Sequence, residues 1–317
     1  MSHAMTECCK KRNKILDNVL LVVLLTTFFM GGIVVGQKVL PHSLPQQDDQ
    51  QKSAFTRDLA VKIASDVLPS EGFTSRISFG DSIIKLEEAG VIDREKMGQL
   101  YVNRGGMPEE LAKLLDDPSS EPITINKENA AYLINLLWPL GIANANSTLA
   151  ESDAAKPENV NRLAATGGWN LGKSDEGGDY YNQFEILALT PEQDELVKRV
   201  AKNIYRPCCG NSTAMPDCNH GAAMLGLLQL GAAQGLSEEE LYDEALAFNS
   251  FWFPDNYQKM ALAFQQFQNK SWSEIDPKML LSADYSSGSG YRQNVLTPLS
   301  QVPGLLPQTS GGGSCSA

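Results

Sequence analysis

Histidine is scarce in this chain: His3, His42 and His220 are the only three among 317 residues. Two of them fall before residue 50, so a histidine-rich metal site cannot be assembled from the rest of the sequence, and no candidate Ser-His-Asp triad can be argued around His220 alone. The six cysteines contain no C-x-x-C pair, no haem-attachment C-x-x-C-H and no zinc-finger spacing. No segment alternates apolar and polar residues long enough to demand a β-sheet. Basic residues are also short, 26 Lys and Arg against 38 Asp and Glu, for a formal charge of -12. That surplus repels phosphate backbones and anionic lipid, which argues against nucleic acid as a partner.

Charge is missing altogether from Val19 to Val35, which read VLLVVLLTTFFMGGIVV. At a helical rise of 1.5 Å per residue the run spans roughly 25 Å, enough with its flanks to cross a bilayer. Signal peptides have shorter apolar cores and end at a small-residue cleavage site. Here the run ends in Gly36-Gln37-Lys38-Val39 without one. The expectation is an uncleaved transmembrane anchor over residues 19-36, with the lipid bilayer as its partner. Lys10, Lys11, Arg12 and Lys14 precede it and only Lys38 follows closely. Basic residues are held in the cytoplasm, so residues 1-18 form a cytoplasmic segment and everything after the anchor is extracytoplasmic. Four of the 26 basic and two of the 38 acidic residues lie in 1-36, leaving 22 basic against 36 acidic residues outside.

Beyond the anchor, residues 37-53 are rich in Pro, Gln and Asp and read as a stalk. Residues 54-143 read as an N-terminal helical subdomain. Leu59, Ile63 and Val67 share one face of a helix, Asp81 to Ala89 stops at Gly90, Pro108 opens a helix through Leu115, and a helix from Lys127 ends where Pro139 interrupts it. Residues 144-189 are a Gly-rich loop region. A second helical subdomain covers 190-285. Thr190, Pro191 and Gln193 open a helix to about Tyr205, Gly221 to Ala233 is a buried helix, Ser237 with Glu240 caps a helix to about Phe253, and Asn256 to Phe267 forms another with Met260, Phe264 and Phe267 on one side. Residues 286-317 read as a flexible tail carrying Cys315. The fold class expected is mainly α: one transmembrane helix followed by an irregular helical globular ectodomain.

Gly167 to Ser174 fits the phosphate-loop pattern G-x-x-x-x-G-K-[ST] letter for letter. The pattern needs a buried strand before it and a helix after it, so that backbone N-H groups face the phosphates. Val160 to Thr166 is not a continuous apolar strand, and Asp175-Glu-Gly-Gly-Asp179 is neither helix-forming nor favourable to phosphate. Nucleotide binding is therefore not expected.

The densest chemistry lies between Cys208 and His220, CCGNSTAMPDCNH, which joins two expected helices. Three sulfurs and one imidazole, Cys208, Cys209, Cys218 and His220, point to soft-metal binding by Cu(I) or Zn, or to thiol-disulfide chemistry. Met215 offers a thioether suited to Cu(I). Cys218 and His220 stand at a helix start, where the dipole stabilises a thiolate. Asp217 is a possible proton carrier or a helix cap. Cys315 is an accessory thiol that a flexible tether could bring to the site. In an oxidising compartment Cys208 or Cys209 could instead staple the loop to Cys218, giving a membrane-tethered interaction domain whose partner is another envelope protein. A third reading is an enzyme with a thiolate nucleophile and Asp217 or His220 as base. For a metal site the partner would be a metal carrier. Phe248, Phe251, Trp252 and Phe253 read as core, or as an apolar wall over the cysteines.

Overall fold

Apolar residues spaced three and four apart favour helices that bury one face, and this rule builds most of the chain. The computed structural model describes residues 58-161, 171-303 and 305-306, all within one unit, Ala54–Ala317. The expected cytoplasmic segment 1-18, anchor 19-36 and stalk 37-53, together with Gly167 to Asn170 and Cys315, lie outside the described residues. Among those described, no helix is long and apolar enough to cross a membrane.

Among the described residues, nine helices of six residues or more carry the fold, and shorter turns are named by residue. Helix α1 covers 58-67, followed by α2 (Ser82–Glu88), α3 (Arg94–Gln99), α4 (Glu109–Asp116) and α5 (Ala130–Ala143). The second half holds α6 (Pro191–Asn203), α7 (Asn219–Ala233), α8 (Glu238–Trp252) and α9 (Pro254–Gln268). The start signals work as expected at α6 and α8. Thr190 with Gln193, and Ser237 with Glu240, form reciprocal capping boxes that satisfy orphan N-H groups at each helix start.

At the centre, α5 and α7 touch backbone to backbone. A Cβ at Gly141 would lie 1.8 Å from the Ala222 carbonyl oxygen, and one at Gly226 would lie 2.3 Å from that of Leu137. Only glycine lets these two helices approach so closely. Every residue of α7 from Gly221 to Ala232 is buried. Its buried amide, Gln229, accepts a hydrogen bond from Asn144 Nδ2 at 2.8 Å, and Asn144 Oδ1 accepts from the Leu187 N-H at 2.7 Å. That chain of bonds ties the loop region 144-189 to the central helix. One hydrophobic core runs from Ile63 to Leu299, so the stretches 54-143 and 190-285 are not separately packed.

Several sequence expectations need correction. An antiparallel pair of strands, β1 (Phe73–Gly80) and β2 (Ser119–Ile125), packs beside the helices. The inward residues of β1 are Ser75, Ile77 and Phe79. A buried serine among them erases the apolar alternation, and Ser75 is tolerated because its hydroxyl donates to Glu244 at 2.6 Å. Helix α5 starts at Ala130 rather than Lys127 and runs through Pro139. A mid-helix proline costs about 3 kcal/mol. Burying Leu140 and Ile142, each worth about 1.5–3 kcal/mol, offsets that cost. In α9, Met260 and Phe264 are buried but Phe267 is 48% exposed.

The expected tail from Ser286 begins too early. Residues from Ser286 to Ser300 form short helical turns that bury Tyr291, Val295 and Leu299, interrupted by a π-helical stretch, Arg292–Leu296. The described end of the phosphate-loop look-alike, Leu171 to Ser174, is a bend and starts no helix. The Tyr180 ring packs on Gly172, and its hydroxyl accepts from the Ser174 N-H.

Candidate metal centre

Helix α6 ends at Asn203, and the chain then folds back along its own C-terminal turn. Thr213 donates its N-H to the Ile204 carbonyl at 2.8 Å, and Ala214 donates to that of Ala201 at 3.1 Å. This doubling back returns the chain to Cys218, the N-cap residue of α7, beside Cys208 and Cys209. The three sulfurs lie within 4.8 Å of one another, forming a cluster that could hold a metal ion. Cys208 is exposed, Cys209 and Cys218 are half-buried, and none is in a disulfide.

The residue that organises this loop is Arg206, which is only 1% exposed. Its Nε donates to the Cys218 sulfur at 3.2 Å, and its terminal nitrogens donate to the carbonyls of Asn211 at 3.1 Å and Met215 at 3.5 Å. A further bond goes to Asp217 Oδ1, while Asp217 Oδ2 accepts from Asn211 Nδ2 at 2.9 Å. A buried guanidinium survives only when paired, and this one spends its donors on the loop that carries the sulfurs. Gly221 makes room for it, since a Cβ there would lie 2.5 Å from the guanidinium.

The electrostatics are lopsided. Hydrogen bonds from Cys208 and Cys209 pull the Cys218 thiol well below the ordinary thiol range. A bond from His220 and the Arg206 charge add to this, and burial opposes it. Cys208 moves the other way, raised by its hydrogen bonds to Cys209 and Cys218 and then by burial. The cluster as a whole thus favours a shared negative charge beside the Arg206 guanidinium, with Cys218 drawn toward the thiolate form. Burial alone would lower the Arg206 pKa, but the nearby Cys218, Cys209 and Asp217 outweigh it and raise it.

His220 is brought next to Cys218 but does not join the group of three sulfurs. Its ring packs on Phe253, centroids 4.7 Å apart, and meets the Trp252 ring edge-on at 6.1 Å. Phe248, Phe251 and Trp252 are buried core, and Phe253 is half-buried against His220. Asp217 has both oxygens engaged, so it fixes Arg206 instead of standing free to move a proton.

The segment expected as a tail closes the other side of the site. Gly288 donates its N-H to the Cys209 carbonyl at 2.8 Å, and its missing Cβ lets that carbonyl and the one at Pro207 come close. Ser286 hydrogen-bonds Tyr257 at 2.8 Å. Asn249 reaches both Tyr257 at 3.1 Å and the Tyr205 carbonyl at 3.2 Å. Burial raises the Tyr257 pKa, and the nearby Cys208 adds to the rise.

Sequence reasoning missed Arg206, which reads only as a helix stop before Pro207, and missed Gly288. The available signal for Arg206 was an arginine two residues before a cysteine pair, with an aspartate directly before the third cysteine. A cavity of about 690 Å³ lies elsewhere, between α4, β2 and α5, and takes none of its lining from the cysteine loop. Comparison with known proteins gives no match: no family model, curated protein or solved structure matches the chain.

Proposed function

We propose that this chain is a single-pass membrane protein whose helical domain, outside the cytoplasm, holds one soft metal ion, Cu(I) or Zn(II), on Cys208, Cys209 and Cys218. The observation that carries this reading is the convergence of three unbonded sulfurs within 4.8 Å beside a buried guanidinium. Sulfurs around one ion at about 2.3 Å stand about 4 Å apart, so the cluster needs only small adjustments to close on a metal. Thiolates are the ligands that select such ions.

The rival readings fit less well. A nucleophile for disulfide exchange or catalysis must be both exposed and ionised. Here the exposed sulfur, Cys208, has its pKa raised, and the one whose pKa is lowered, Cys218, lies deeper. A plain staple would pair two sulfurs and leave the third over. Exposure of Cys208 suits a different task, ligand exchange with a metal carrier or another envelope protein. The anchor at 19-36 would keep the site at the membrane, and the acidic exterior would tolerate cations.

Metal analysis of the full chain, purified anaerobically in detergent, tests the reading. One Cu or Zn per chain, lost in Cys218→Ser, is the expected result. A chain that carries no metal and takes up neither ion after reduction overturns it. A reporter fused after Ala317 tests the topology and should lie outside the cytoplasm.

A further inference from the structure

We infer that the bound ion sits in a three-coordinate, all-sulfur site, with His220 and Arg206 donating hydrogen bonds to Cys218 from outside the coordination sphere, so that Cu(I) is preferred over Zn(II). This rests on the metal reading above and adds the coordination number, the ion and the part played by His220.

Among the described residues, no histidine or carboxylate joins the three sulfurs as a fourth donor. Each nearby candidate is otherwise occupied. Asp217 has one oxygen on Arg206 and the other on Asn211. Arg206 is donor-only and always charged, so it can serve the site only through N-H groups, and its Nε is 3.2 Å from the Cys218 sulfur. His220 packs against Phe253 and Trp252, which hold its ring beside the same sulfur. Arg206 thus donates to Cys218 and His220 stands beside it, while Cys208 and Cys209 receive no hydrogen bond from a basic side chain among the described residues.

Coordination number then decides the ion. Structural Zn(II) is almost always held by four protein ligands in a tetrahedron, and three sulfurs would leave its fourth position to water. Soft thiolates suit Cu(I), a monovalent ion that three sulfurs can satisfy. Outer hydrogen bonds to a ligating sulfur orient it and hold its charge, and losing one costs about 10–100-fold in metal affinity.

X-ray absorption and chelator competition on the full chain test this, using Cu(I) and Zn(II) as probes. Wild-type protein should bind one Cu(I) with three sulfur neighbours and no nitrogen, and should hold it against Zn(II). His220→Ala should keep the all-sulfur shell while binding about tenfold more weakly. His220→Gln, which retains an N-H donor, should recover most of that loss. Circular dichroism checks that both variants fold. A nitrogen neighbour that disappears in His220→Ala, or Zn(II) displacing Cu(I), overturns this inference and leaves the metal function standing. A wild-type chain that binds neither ion overturns both.

Discussion

Among the described residues the protein buries two opposite charges, Glu244 on α8 and Arg206 beside the cysteine loop, and they are resolved differently. On the strand side, Glu244 is fully buried. It accepts from the Ser75 hydroxyl at 2.6 Å and from the Arg76 N-H at 2.9 Å, and pairs with the Arg76 guanidinium at 3.2 Å. All of these partners come from β1, so the carboxylate ties a strand to a helix. On the cysteine side, Arg206 is buried to the same degree, but one of its bonds ends on a sulfur. The first charge is consumed by structure. The second is coupled to a group that can bind something else, and that coupling, rather than burial itself, marks a site.

Replacing each charge should separate the two roles. Arg206→Met is expected to have the largest effect. It leaves Asp217 without its partner at a cost of about 3–5 kcal/mol in stability and weakens Cu(I) binding at least tenfold, read by denaturant unfolding and chelator competition. Glu244→Gln should lose about 1–3 kcal/mol by weakening the bonds to Ser75 and Arg76. Its metal affinity should stay within twofold of wild type, and a metal defect there would break the comparison. Gly221→Ala sharpens it further, because the new Cβ strikes the guanidinium. About 1–3 kcal/mol of overpacking should appear together with weaker metal binding.

A smaller effect concerns pH in the metal-free, reduced protein. Cys218 has a depressed pKa when folded, so below the unfolded thiol value of about 8.5 the unfolded chain binds more protons. Stability should therefore rise with pH from the depressed value to about 8.5. Cys208 has a raised pKa, which reverses the slope above that point. Cys218→Ser should flatten the rise between about pH 6 and 8.5, above the range in which the carboxylates titrate, as read from melting temperatures. The smallest effect is expected at Phe267, away from both charges. Phe267→Ser should change stability by no more than about 0.5 kcal/mol because the ring is 48% exposed.

Helix starts were the most legible feature, because capping is local. Thr190 with Gln193 and Ser237 with Glu240 satisfy orphan N-H groups inside four residues of sequence. The Cys208, Cys209 and Cys218 cluster was legible for the same reason, since all three lie in one loop. What failed depended on distant partners. β1 was hidden because Ser75 faces inward toward Glu244, 169 positions away in the chain. Helix α5 outlasts Pro139 only because α7 presses against its last turn. Ser286 to Ser300 looked like tail because its burial comes from the core it joins and from the Cys209 loop it braces.

By itself the sequence determined the helical class, the caps and the crowding of sulfurs into one loop, because each is set by neighbours within a few residues. It also sets the expectation of an anchor, since an uncharged run of that length is soluble in lipid and little else. Only the tertiary structure decided that Arg206 would be buried, that its guanidinium would meet Cys218, and that His220 would stand beside the sulfurs without joining them. A charged side chain's role depends on what replaces its lost water, and those replacements are supplied by residues that only folding brings together.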